Sequence, residues 1–215
     1  MTEPAVKNSD TRAQILQAAS SQFAARGFEG ARTQAIADEA GVNKAMLYYH
    51  FRDKQHLYLE TLSQHITAIF SQVLPIFLQG NLSVRERILS IAAAYHRFLK
   101  SNPPVRGLIL QELASGGSHM QAVVDRIMEL VPGLNVERVF DHIRMMMDSG
   151  ELRAGDPRQV LLHLLSLTVF PFFARPMLEA IWQITPGEFE ELMESRPQAV
   201  ADLLEHGLLT AKEAS

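Results

Sequence analysis

The stretch from residue 44 to residue 54 combines side chains that donate hydrogen bonds with side chains that are small or apolar. Ala45 permits close approach to another surface, and Met46 ends in a methyl group that can touch the methyl of thymine. The donors suited to phosphate oxygens are Tyr48, Tyr49, His50 and Lys54. Side chains of these types predict a surface that binds the backbone and groove edges of double-stranded DNA.

Two short helices would have to hold these side chains in place. Thr33 is a candidate N-cap of the first helix, and Gly41 permits the positive φ of a tight turn after it. Asn43 is a candidate N-cap of the second helix. Because small Ala37 lets two helices joined by so short a turn cross closely, residues 33–51 predict a helix-turn-helix. In that motif the N-terminal end of the second helix enters the major groove.

One side of the second helix should face the protein core. At about 100° per residue, Leu47 and Phe51 fall on the same side. The opposite side and its flanks carry Lys44, Ala45, Met46, Tyr48, Tyr49 and His50. Neighbouring tyrosines on a helix are often ordinary packing residues, but here the core side is already occupied. The exposed pair therefore favours a binding role.

A wider pattern surrounds this segment, from about residue 10 to residue 57. Its members are Ile15, Leu16, Ala18, Ala19, Phe23, Gly27, Phe28, Thr33, Ile36, Ala37, Ala40, Gly41, Val42, Leu47, Tyr48, His50, Phe51, Lys54 and Leu57. The pattern resembles the DNA-binding motif of the tetracycline-repressor (TetR) family. Asn43 stands where the family usually has Ser or Thr, and Ala45 where Gly is frequent. Since Asn also caps helices, these departures bear on base preference and not on the fold.

The resemblance implies a role for each matching residue. Phosphate contacts are implied for Thr33, Tyr48, His50 and Lys54. Groove contacts are implied for Gln34, Lys44, Ala45, Met46 and Tyr49. The resemblance further implies a second helical domain that dimerises and often holds a small effector.

Composition and charge limit the class of protein. The chain has 215 residues, of which 47 % are hydrophobic, and no cysteine, so we expect a buried core without disulfides or thiol chemistry. No signal peptide is visible, and the most apolar stretch, residues 160–174, is shorter than the roughly 20 residues that span a bilayer. These features predict a soluble, cytoplasmic protein. The net charge of −4 matters less than how the charge is distributed, because only the surface that faces DNA must be positive. The motif is only weakly basic, so we expect its affinity to depend on the avidity of a dimer.

Capping and proline signals divide the chain into helices, without an alternating strand pattern between them. The predicted helices run from about Asp10 to Arg26 with a stop at Gly27, from Asp53 toward Leu78, from Ser83 to Lys100, after Asn102, over His119–Val131, over Val136–Ser149, from Asp156 onward, from Thr185, and over Pro197–Leu209. The predicted fold class is therefore all-α. We expect a three-helix DNA-binding domain in residues 1–54 and a larger dimerisation and ligand-binding domain in residues 55–215.

Two apolar segments predict a homodimer. The helix near residues 157–175 is apolar around most of its circumference, unlike a surface helix with one buried side. The helix near residues 197–209 carries an apolar stripe made of Val200, Leu203, Leu204, Leu208 and Leu209. Pairing both helices with their symmetry mates would form a four-helix interface suited to a palindromic operator. The alternative is that both helices belong to the core of one protomer.

The effector site has only a weak signal. Polar or aromatic residues within apolar helices include Tyr95, His96, His142, His163 and Phe170, and Met146 belongs to a methionine run that repacks easily. Each of these residues also suits ordinary packing. They are candidates for an apolar pocket that takes a small ligand.

These observations favour a regulator of transcription, most simply a repressor that a small ligand releases from its operator. An enzyme is disfavoured, because the sequence lacks the metal-ligand, phosphate-loop and nucleophile motifs that catalysis would need, and no cofactor is expected. A DNA-binding protein without an effector, constitutive or architectural, stays open. Repression and activation cannot be told apart from the residues.

Overall fold

A computed structural model describes residues 3–130 and 136–208. Regular structure in these two ranges is helical, and no strand forms in them. The helices are α1 (Glu3–Gly30), α2 (Thr33–Glu39), α3 (Lys44–Phe51), α4 (Lys54–Leu78), α5 (Val84–Ser101), α6 (Pro103–Ala114), α7 (Met120–Leu130), α8 (Val136–Asp148), α9 (Pro157–Trp182) and α10 (Pro186–Leu208). Val131 and Leu209, where the sequence predicts two helices to end, lie outside the described residues.

The helices group into two compact units. The first comprises Met1–Ala68 and Asn102–Gly133, and the second comprises Ile69–Ser101 and Leu134–Ser215. Helix α4 contributes to both, so the units interleave along the chain and do not follow the predicted boundary after residue 54. The division of function at that boundary stays a prediction.

Hydrogen bonds confirm predicted helix starts. At α5, the Ser83 N–H donates to Glu86 Oε2 over 2.9 Å, and the Glu86 N–H donates to Ser83 Oγ over 3.3 Å. This reciprocal pair is a capping box. At α9, the Asp156 carboxylate accepts from the Arg158 N–H over 2.9 Å.

Two predicted helix limits are wrong. Helix α1 begins at Glu3, so Asp10 lies within it and does not cap it. Helix α10 runs unbroken from Pro186, so Pro197 lies inside a helix and does not begin one. Proline cannot donate the helical hydrogen bond, but here it lies on a buried stripe whose packing offsets that loss. The stripe consists of Phe189, Met193, Pro197, Val200 and Leu204.

In the first unit, α1 packs against α6 at a point where only glycine fits. A Cβ on Gly107 would lie 2.9 Å from Ala24 Cβ and 3.0 Å from the Ala24 carbonyl oxygen. Near this crossing, α1 changes direction at Gly27, which has a φ of +67° and lies against Gln111 of α6. The predicted helix stop at Gly27 is thus explained by its positive φ.

In the second unit, α5 packs against α9 and α10. Arg85 of α5 pairs with Asp202 of α10 over 2.6 Å and also with Glu205. Lys100 of α5 pairs with Glu194 of α10. Because these pairs are partly exposed, apolar burial between the helices contributes more to stability than the pairs do.

Helices α4 and α9 are long and apolar enough to span a membrane by length and composition alone. The expectation that the apolar stretch is too short therefore holds only for residues 160–174, because α9 extends it to 26 residues. Leu62 of α4 and Leu164 of α9 are buried in the protein. Length and composition are weak grounds for a membrane span, since core helices of soluble proteins share them.

We expect Gly107→Ala to lower the free energy of unfolding by about 1–3 kcal/mol, because the added methyl group forces α1 and α6 apart. Thermal unfolding followed by circular dichroism measures the change. Gly80→Ala is the matched control, since a Cβ there would meet no atom within 4 Å. Equal melting temperatures for Gly107→Ala and the wild type would contradict the close packing.

Candidate nucleic-acid interface

The helix-turn-helix predicted for residues 33–51 is present. Helices α2 and α3 are joined by a turn in which Gly41 has a φ of +67°. The Val42 N–H donates to the Ala37 carbonyl oxygen over 2.9 Å and closes the turn. Arg32 is the N-cap residue of α2, and Thr33 is the first helical residue. The prediction that Thr33 caps this helix is therefore wrong.

Helix α3 has a core face and an outward face, as the sequence predicts. The Asn43 side chain caps α3 by accepting from the Met46 N–H over 2.8 Å. Leu47 and Phe51 are buried, with exposed fractions of 0 % and 2 %. Tyr49 is 73 % exposed. Buried anchors on one side therefore fix which side of α3 is free for a partner.

The candidate groove residues lie around this outward face. Lys44 and Ala45 are exposed, whereas Met46 is half-buried. Gln34 on α2 is exposed and donates through Nε2 to Asp38 Oδ1 over 2.8 Å. These side chains differ in polarity, so together they offer both hydrogen bonds and an apolar contact.

Two of the candidate phosphate residues, Thr33 and Tyr48, lie close to each other, and a third, His50, is half-buried. The Thr33 and Tyr48 hydroxyl oxygens lie 3.3 Å apart, which lets both approach one acceptor. Lys44 Nζ lies 5.7 Å from the centre of the Tyr48 ring and adds a positive charge there. His50 Nε2 is shielded from solvent and has no hydrogen-bond partner within the described ranges.

Lys54 is anchored to the end of α1. Its Nζ donates to the Glu29 carbonyl oxygen over 3.1 Å and lies 4.8 Å from the centre of the Phe28 ring. Lys54 is the first residue of α4, and Asp53 caps that helix by accepting from the His56 N–H over 2.8 Å. This hydrogen bond lowers the pKa of the Asp53 carboxyl below its ordinary value.

Two arginines that the sequence pattern did not single out lie at the ends of the motif's helices. Arg32 is exposed just before α2, and Arg52 exposes 81 % of its side chain just after α3. Arg52 has a φ of +54°, a conformation that side chains other than glycine adopt rarely. Both positions can be identified from the sequence, since each arginine lies immediately outside a predicted helix of the motif.

One of the effector candidates, Met146, lies at a cavity. An apolar cavity of about 20 Å³, room for about one water molecule, lies in the second unit. Met146 lines it together with Arg87, the one side chain with polar atoms among its lining residues. Arg87 is buried and donates to the carbonyl oxygens of Ile76 and Gln79, each over 2.8 Å.

The remaining candidates are not among the residues that line this cavity. Burial raises the pKa of Tyr95 to about 12 and lowers the pKa of His96, whose ring nitrogens lack a hydrogen-bond partner in the described ranges. Burial and the nearby charge of Arg87 lower the pKa of His142. His163 and Phe170 are exposed on α9, with Phe170 53 % exposed.

Comparison with known proteins identifies the family. Residues 15–61 match the family described as bacterial regulatory proteins, tetR family. The chain is 32 % identical over 160 residues to the HTH-type transcriptional activator FasR of Mycolicibacterium smegmatis, which covers 74 % of this chain and 69 % of FasR. The chain belongs to the TetR family. It is therefore a DNA-binding transcriptional regulator and not an enzyme, as predicted.

Two further comparisons cover most of the chain. The HTH-type transcriptional repressor AcnR of Corynebacterium glutamicum is 24 % identical over 175 residues, covering 79 % of this chain and 83 % of AcnR. The crystal structure of the regulator SCO4942 from Streptomyces coelicolor matches with a TM-score of 0.63 at 22 % identity, covering 92 % of this chain and 98 % of that one. At this identity the structural likeness confirms the all-α TetR fold.

We expect Asn43→Ala to destabilise the protein by about 1 kcal/mol, because it leaves the Met46 N–H without its cap. Asn43→Asp should keep the stability, since a carboxylate also caps, but should weaken DNA binding by adding a negative charge near phosphates. Urea unfolding and equilibrium DNA binding measure the two effects separately. Asn43→Ser, which keeps a neutral cap, should retain both properties. Equal DNA affinity for the Asp and Ser variants would argue against DNA at this end of α3.

Proposed function

We propose that this TetR-family regulator binds a palindromic operator as a homodimer, represses transcription there, and leaves the DNA when a small apolar or amphipathic ligand binds. The observation that best supports the DNA-binding mode is the outward face of α3. Its cap at Asn43 and its buried anchors, Leu47 and Phe51, hold that face toward solvent. In a dimer the two copies of α3 would lie about 34–36 Å apart to read successive major grooves.

The proposed DNA contacts divide by reach. The groove set comprises Gln34, Lys44, Ala45, Met46 and Tyr49, and the phosphate set comprises Thr33, Tyr48, His50 and Lys54. The exposed Arg32 and Arg52 are proposed additions to the phosphate set. Phosphate contacts supply affinity that depends on salt, whereas groove contacts supply preference among sequences.

The outward side of α9 supports the homodimer. It exposes large apolar side chains, namely Leu162, Leu165, Phe170, Met177, Ile181 and Trp182. On α10, Leu203 is 58 % exposed, whereas Val200 and Leu204 are buried in the unit. Only part of the predicted stripe is therefore free for a partner. Apolar surface of this kind is normally covered in soluble proteins, and a second copy related by a two-fold axis would cover it.

Release by a ligand requires the cavity near Met146 to widen. Pockets that hold a ligand of ordinary size have about 300–1,000 Å³, far more than this cavity offers. The flexible Met146 side chain supports such an adjustment, since methionine repacks easily. A shift of α4 would then change the spacing of the two recognition helices and disfavour DNA by differential affinity.

Repression follows most simply from a dimer that covers its operator, and AcnR is a repressor by name. The name of FasR, a transcriptional activator, favours activation as the second candidate. Footprinting on a natural operator distinguishes them. Protection over the promoter indicates repression, and protection upstream of it indicates activation.

We expect Lys54→Ala to weaken binding to all DNA sequences by about tenfold, because one phosphate contact is lost per protomer. The slope of log affinity against log salt should fall by about one unit for each protomer bound. Tyr49→Ala should instead alter the preference among operators, as measured by selection from random DNA. An unchanged affinity and salt slope in Lys54→Ala would contradict this docking mode.

We expect Leu203→Glu and Phe170→Glu to convert the dimer to a monomer, because a charge cannot be buried unpaired in an apolar interface. Loss of avidity should weaken operator binding by about a hundredfold or more. Sedimentation measures the mass, and circular dichroism should stay unchanged. Met128→Glu makes the same kind of change at an exposed site on α7 and should stay dimeric. Dimeric Leu203→Glu and Phe170→Glu proteins would place the interface elsewhere.

We expect a ligand from a library of apolar and amphipathic metabolites to raise the melting temperature and to lower operator affinity. Crystals with and without that ligand should differ in the spacing of α3 between protomers. A ligand that stabilises the protein but leaves operator affinity unchanged would instead support the effector-independent alternative. Identical spacing in both crystals would reject release by reorientation.

A further inference from the structure

A buried carboxylate in the first unit links three segments of the chain. Glu112 of α6 is only 1 % exposed. Its oxygens accept from the Tyr58 hydroxyl of α4 over 2.8 Å and from the His119 N–H before α7 over 2.6 Å. His119 Nδ1 lies 3.2 Å from Glu112 Oε2 and donates when it carries the proton. Because a buried carboxylate without donors is costly, Glu112 holds both partners in place.

The two partners of Glu112 enclose an aromatic ring of α1. The Phe28 ring centre lies 4.7 Å from that of His119 and 5.2 Å from that of Tyr58. Gln111, the neighbour of Glu112 on α6, lies against Gly27, the residue before Phe28. Helix α6 therefore constrains the end of α1 in two ways, through the backbone turn of α1 at Gly27 and through the Phe28 ring.

Lys54 lies over this same ring. Its Nζ is 4.8 Å from the centre of Phe28, and it donates to the carbonyl oxygen of Glu29, the next residue. A cation over an aromatic face is held electrostatically by the ring. A continuous set of contacts thus joins Glu112, through His119 and Phe28, to the cation at the start of α4.

We propose that Glu112 is a positioning residue for DNA binding, which fixes Lys54 through His119, Tyr58 and Phe28. This role rests on the proposed phosphate contact of Lys54. An apolar residue in place of Glu112 could fill the same volume at lower desolvation cost, but it would not orient His119 and Tyr58 around the ring.

A double-mutant cycle on the full-length protein tests the role. The probe is a DNA duplex recovered by selection from random sequence, and its affinity is measured over a range of salt concentrations. The variants are Glu112→Leu, Glu112→Gln, Phe28→Leu and Lys54→Ala, with Glu112→Leu and Phe28→Leu each also combined with Lys54→Ala. Gln121→Ala on the exposed side of α7 is the control, and thermal unfolding identifies any variant that fails to fold.

We expect Glu112→Leu and Phe28→Leu to weaken binding about three- to tenfold and to lower the salt slope toward that of Lys54→Ala. In the Lys54→Ala background the same changes should have little further effect, since coupled residues are not additive. Glu112→Gln should stay near the wild type, because its amide oxygen still accepts from the His119 N–H and its NH2 group can donate to the Tyr58 hydroxyl oxygen. If Glu112→Leu does not fold, Phe28→Leu carries the test, since it keeps an apolar side chain of similar size.

The positioning role of Glu112 and the phosphate contact of Lys54 are contradicted by different results. Losses that add to that of Lys54→Ala, with an unchanged salt slope, would show a structural role alone and would overturn the positioning role. A wild-type affinity and slope in Lys54→Ala would overturn the phosphate contact of the proposed function, and the positioning role with it.

Discussion

The close packing of α1 against α6 is the constraint on which the first unit, with its helix-turn-helix, depends. The two backbones approach so closely at Gly107 that a methyl group would meet Ala24. Helix α6, although distant in sequence, thereby belongs to the same compact unit as residues 15–61, which match the family. Since α1 in turn packs against α2, the orientation of the helix-turn-helix follows from helices distant in sequence.

The outward face of α3 consists of the side chains that do not fit into the core of that unit. Leu47 and Phe51 use the inner side of α3, so Tyr49 has no place inside and is displayed. Acidic residues near the motif are engaged by their own neighbours, Asp38 by Gln34 and Glu39 by Gln22. The surface is nevertheless only weakly basic by count, so two-fold avidity has to supply part of the affinity.

Helix α9 has apolar side chains both where it is buried and where it is exposed. Leu164 and Phe172 face the core of the second unit, whereas Phe170 and Ile181 face outward. This arrangement explains why the sequence of α9 is apolar around most of its circumference, where a surface helix would have one polar side. It is also compatible with both interpretations of the sequence, because one helix can contribute to the protomer core and to the proposed partner contact.

The sequence by itself determined the helical fold class, the helix-turn-helix and the caps at Asn43, Ser83 and Asp156. Such features are encoded locally, by periodicity, by a side-chain oxygen two or three residues before an N–H, or by a glycine with positive φ. Only the tertiary structure decided which leucines of α10 are buried, that Phe170 faces outward, and that Lys54 lies over Phe28. These outcomes depend on residues from separate helices that meet only after folding, and the sequence pattern of one helix does not identify its neighbours.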